Sequence, residues 1–153
     1  MESKEILYHI KYLVNFLKRE TWKNKFTKQV EVSLKKEQRD LIKTWLVEIR
    51  PKLSHLFLRN YYLLSDSGEE TLKDIVKKLD SNENPIIFTE YDLGFMVFWL
   101  HKTRKGLDDK LSLEDYIIYL EILNLFNSVI TSDELKEVVE KIIKKTMEDE
   151  VIY

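Results

Sequence analysis

SLEDYIIYLEILNLFNSVI, residues 112–130, is the stretch that decides the fold. Leu113, Tyr116, Ile117, Ile118, Tyr119, Leu120, Ile122, Leu123, Leu125, Phe126, Val129 and Ile130 leave only a narrow polar strip of Glu114, Glu121, Asn124 and Ser128 on a helical wheel. So wide an apolar surface belongs inside a bundle rather than on its outside. Ser112 followed three residues later by Asp115 is a capping-box pattern and marks the helix start. The expected architecture is mainly α: a single-domain bundle over residues 1–153, with about six helices around two very apolar ones.

The second apolar helix is EYDLGFMVFWLH, residues 90–101, opened by Thr89 and Asp92. Its expected neighbour is the 113–130 helix, with Gly94 letting the two backbones approach. Residues 102–110 read as a polar connection. Amphipathic rhythm predicts a helix over 4–18 and another opened by Ser33, with Leu34, Leu41, Ile42, Trp45, Leu46 and Ile49 on one face. The phase survives Pro51, which either kinks one helix or begins a second. Ser67 and Glu70 open a short helix that ends by Asp80. Thr131 and Glu134 open the last, whose stripe is Leu135, Val138, Val139, Ile142, Ile143 and Met147. That stripe suits either a core within one chain or the face of a homodimer. Residues 28–34 alternate with a period of two, a strand pattern whose only plausible partner is residues 85–88.

Composition narrows the function classes. Hydrophobic residues at 44% and charged residues at 34% describe a globular chain rather than a disordered one. The chain has no cysteine, which excludes disulfides, thiolate metal sites and cysteine nucleophiles and makes a cytoplasmic, intracellular location the simple expectation. No secretory signal is visible, and no apolar run approaches the roughly 20 residues of a membrane span. Alanine is absent although it is the best helix former. An AT-rich gene explains that, which points to a virus, phage or low-GC organism. The net charge of -2 is unevenly spread: residues 1–62 carry +7 and residues 63–153 carry -9. The basic half either meets an acidic or nucleic-acid partner or is neutralised by the acidic half.

No phosphate-binding glycine motif or nucleophile elbow is present, and no histidine has metal-ligand neighbours, so no cofactor and no metal are expected. An EF-hand-like echo near residues 103–116 puts Arg104 at the first ligand position, where a cation cannot bind calcium. Arg50 and His55 have the Arg-x4-His spacing of helical HEPN-type ribonucleases, a resemblance confined to these two residues. It implies metal-independent RNA cleavage, with His55 moving a proton and Arg50 holding a phosphate. The basic-aromatic stretch with Lys18, Arg19, Trp22, Lys23, Lys25 and Lys28 is the candidate surface for nucleic acid or a protein partner. The leading expectation is a non-enzymatic protein-binding module, an inhibitor or adaptor acting on a host or defence factor. A nucleic-acid-binding protein is the alternative, and an RNase using Arg50 and His55 a third.

Overall fold

The computed structural model describes residues 21–50, 67–107 and 110–151. The expected helix over 4–18, Lys18, Arg19, the Pro51 junction and His55 lie outside the described residues. The chain is mainly α with one two-stranded antiparallel sheet. After helical residues 21–25 come β1 (Gln29–Val32) and α1 (Lys36–Lys43), which runs into a π-helical segment at Thr44–Ile49. Then follow α2 (Ser67–Asp80), β2 (Ile86–Thr89), α3 (Glu90–Leu107), α4 (Leu113–Val129) and α5 (Asp133–Val151).

The period of two in residues 28–34 is a strand, and it pairs where expected. Val30 faces Phe88 and Val32 faces Ile86 across the ladder. Val32, Ile86 and Phe88 are buried, while Ile87 points outward. The extended backbone carries Leu34 into the core before the helix begins. Ser33 therefore does not open α1. The helix starts at Lys36, and Gln38 Oε1 accepts from the Lys35 amide at 3.0 Å, satisfying a free donor there. Leu41, Ile42, Trp45 and Leu46 form the buried face.

Arg39 ties α1 to the end of α2. Its guanidinium donates to the carbonyls of Ser81 at 3.0 Å and Glu83 at 2.6 Å, with a longer contact to Leu79. The Leu79 carbonyl belongs to the last turn of α2 and the other two follow it, where no helical partner remains for them.

Thr89 and Asp92 cap α3 reciprocally, each side chain accepting from the other's amide at 3.1 Å. Helix α3 is longer than the polar reading of residues 102–110 allows. Trp99, Thr103 and Leu107 stay on the inner side at i+4 steps, and the Thr103 hydroxyl donates to the Trp99 carbonyl at 2.8 Å. Gly94 makes room for a different neighbour from the one expected: a Cβ there would meet Leu135 Cδ1 of α5 at 3.0 Å.

The start of α5 also departs from expectation. Ser132, not Thr131, lends its carbonyl to the first helical turn, at 2.9 Å from the Lys136 amide. Thr131 is held by Glu90 instead. The buried Glu90 carboxylate accepts from the Thr131 amide at 2.6 Å and from its hydroxyl at 3.1 Å. A buried carboxylate needs such donors, and a carboxylate acceptor makes the stronger kind of hydrogen bond.

Removing that acceptor leaves two donors unsatisfied. Glu90→Ala is expected to lower the unfolding free energy by about 2–3 kcal/mol, and Glu90→Gln by about 1 kcal/mol, in urea titrations. Gly94→Val, which overpacks the α3–α5 contact, should cost about 1–3 kcal/mol in the same assay.

Candidate functional site

The two apolar helices are buried to different extents. In α3 most side chains from Leu93 to Thr103 are enclosed, including Met96 and Leu100 at 0% exposure. In α4 the buried face is Tyr116, Tyr119, Ile122, Leu123 and Phe126. Its outer face carries Leu113 at 70% and Ile117 at 48% exposure. These two residues are four apart and stand one above the other on the helix surface. With half-buried Leu120 and exposed Asn124 they form a ridge.

One shallow groove runs beside Ile117, Leu120 and Asn124, and a second meets the ridge only at Asn124, which lines both. One, of about 640 Å³, has Ile117, Leu120 and Leu125 on one wall and Ser33, Lys35 and Gln38 on the other. The second, of about 550 Å³, lies between α4 and α5 and is lined by Asn127, Ile143 and Met147 with Glu140, Lys144 and Glu148. Asn127 Oδ1 is buried there without a hydrogen-bond partner. An acceptor left in that condition is costly and is relieved by an incoming donor.

The basic-aromatic stretch is only partly a free surface. Trp22 is half-buried and meets Phe26 edge-on at 5.9 Å. Lys23 is exposed. Lys25 pairs with Glu134, and Lys28 Nζ donates to Thr131 Oγ1 at 2.9 Å. Two lysines of the basic half thus meet the start of α5, where the acidic half begins its last helix. Such exposed pairs are worth about 1 kcal/mol at most.

The C-terminal stripe divides along its length. Leu135 and Val139 are buried in this chain's own core, and Ile142 and Ile143 pack against it from half-buried positions. Val138 is also half-buried, and Met147 is 53% exposed beside the second groove. Arg50 donates from Nε to the Leu46 carbonyl at 2.8 Å and lies over the Trp99 ring at 5.9 Å.

A second constellation sits at the C-terminal end of α3. His101 is buried, with Nδ1 3.4 Å from the Tyr119 hydroxyl. Tyr119 stacks on Trp45 of the π segment at 5.5 Å. Burial pushes the Tyr119 phenol up to about 12. Burial, then the positive charges of Lys105, Arg104, Lys102 and Lys145, hold the His101 imidazole down at about 4. Lys102 is also held below its ordinary value, first by burial and then by Lys105 and Lys145. The sequence contains these cations, but their assembly depends on α3 running on to Leu107 and on α5 returning alongside. Only the i+4 series Trp99, Thr103 and Leu107 hinted at that continuation.

Among the described residues no group of three or more potential ligands is placed to hold a metal, and no helix is long and apolar enough to cross a membrane. Comparison with family models, curated proteins and solved structures gives no match.

His101 makes stability depend on pH with a definite sign. Its folded value of about 4 lies below the ordinary 6.5, so between these two values the unfolded chain binds the proton better. The contribution is complete above pH 6.5 and is lost as pH falls towards 4. The loss should reach about 3 kcal/mol, and His101→Gln should flatten this part of the profile in urea titrations at stepped pH.

Proposed function

We propose that this protein is a non-enzymatic helical binding module that docks a protein partner on the α4 ridge. The reading is of an inhibitor or adaptor acting on a host or defence factor, encoded by an AT-rich genome. One observation carries it: Leu113 and Ile117 face outward from α4, and Ile117 leads into a groove whose apolar residues are Leu120 and Leu125. Covering the exposed part of these side chains recovers about 1–2 kcal/mol each, which favours a partner there.

The surroundings favour a partner segment that is apolar with basic residues beside its apolar face. Glu114, Glu121, Glu140 and Glu148 are exposed around the ridge and grooves, against Lys35 and Lys144. Ile143 and Met147 in the second groove suit the stem of a lysine or arginine whose charge meets Glu140 and Glu148. The engagement of Lys25 and Lys28 with α5 makes the N-terminal basic stretch a weaker place for a partner.

The test is affinity capture from host lysate with three forms of the full chain. Leu113→Asp/Ile117→Asp should lose the specific partner at least tenfold, while its stability stays within about 0.5 kcal/mol of the parent. Lys23→Glu should capture as the parent does. A partner kept by the ridge variant would end this reading.

A further inference from the structure

We infer that the C-terminal end of α3 carries a second binding surface, for single-stranded nucleic acid, built from Lys102, Lys105 and Lys145 with Phe98 beside them. This goes beyond the protein-docking reading and uses different residues.

The first argument is uncompensated charge. Lys25, Lys43, Lys78 and Lys141 each have a carboxylate within ion-pair distance. Lys102, Lys105 and Lys145 have none among the described residues. Lys102 and Lys105 are one helical turn apart on α3. Lys145 arrives from α5, where the neighbouring Thr146 carbonyl accepts from the Tyr116 hydroxyl at 3.5 Å. Arg104 on the same helix lies with its guanidinium 5.9 Å from the Tyr116 ring, and the surface does not depend on it. The described charges acting on His101 beneath them are all positive. Gathering like charges raises the free energy of the unbound protein, and anions reverse that.

The second argument selects the anion. Phe98 is 39% exposed, which leaves part of its ring open to a ligand. Its ring is braced edge-on by Trp99 at 5.1 Å and lies 5.6 Å from the Lys102 ammonium. Cations gathered beside a braced, open aromatic ring match a chain of phosphates carrying bases. A free phosphate or an acidic peptide would leave the ring unused. Bases in a duplex are already stacked, so the surface fits a single strand, with one base on Phe98 and phosphates on the three lysines.

The experiment is fluorescence anisotropy of labelled oligothymidylate and oligouridylate, each about 20 nucleotides, with the full chain from about 50 to 200 mM NaCl. The association constant should fall with salt at a logarithmic slope of about -2, as three neutralised phosphates of a single strand require. Lys105→Glu/Lys145→Glu changes two exposed side chains and should weaken binding at least tenfold. Phe98→Ala should weaken it about tenfold with little change in slope. Lys23→Glu should bind as the parent does. The oligonucleotide should also raise the His101 titration midpoint, followed by NMR, because its phosphates offset the surrounding cations. A preference for one oligomer would identify the strand, equal strength would show a surface indifferent to the sugar, and both outcomes support the surface. Absence of binding at the lowest salt would overturn the inference. So would unchanged binding by Lys105→Glu/Lys145→Glu, or complete displacement of the oligomer by phosphatidylserine vesicles with the same residue dependence.

Discussion

The buried carboxylate of Glu90 is the constraint on which the rest of this structure depends. It sits where strand β2 becomes helix α3, and its amide donates to the Lys28 carbonyl at 2.9 Å. The Tyr91 amide likewise donates to the Phe26 carbonyl at 3.0 Å, so the backbone pairing continues past the end of the ladder. The carboxylate itself reaches the amide and hydroxyl of Thr131 in the turn between α4 and α5. One side chain thus joins the strand pair, the start of the most enclosed helix and the start of the last helix. A carboxylate in such surroundings is tolerated only because strong donors meet it. Lys28, bonded to the same Thr131 hydroxyl, brings a positive charge to the same junction.

From that junction α3 descends through the core and delivers His101 to its far end. The imidazole lies against Tyr119, which stacks on Trp45 in the π-helical turn. There the Arg50 amide bonds to the Trp45 carbonyl, five residues back. The wider turn leaves Trp45 and Leu46 both buried. π turns occur often at functional sites. Here the turn places an aromatic ring behind the histidine around which four cations gather.

The surface therefore presents two features that differ in physical kind: apolar area left in water along α4, and three lysines, Lys102, Lys105 and Lys145, without a carboxylate at ion-pair distance among the described residues. They differ in what relieves them. Burial of the first is short-ranged and is not weakened by screening, whereas neutralisation of the second is screened within about 8–10 Å at ordinary ionic strength.

By itself, the sequence determined the helical class, the strand pair and most of the inward faces. Those rest on local periodicity and on capping residues such as Thr89 with Asp92 and Ser112 with Asp115, whose hydrogen bonds close within a few residues. Only the tertiary structure decided which equally apolar helix is enclosed. Hydropathy along α4 measures what each residue prefers, not how many neighbours arrive to cover it, and Leu113 and Ile117 stay 70% and 48% exposed. Thr131 shows the same limit, since its pattern with Glu134 is a good local cap, yet a carboxylate 41 residues away holds it. The basic stretch near Trp22 was legible as charge, but its pairing with Glu134 spans 109 residues. The cations around His101 were hidden for the same reason. Lys145 lies far along the chain from Lys102, and packing of α5 against the core, rather than any local rule, sets the distance between them.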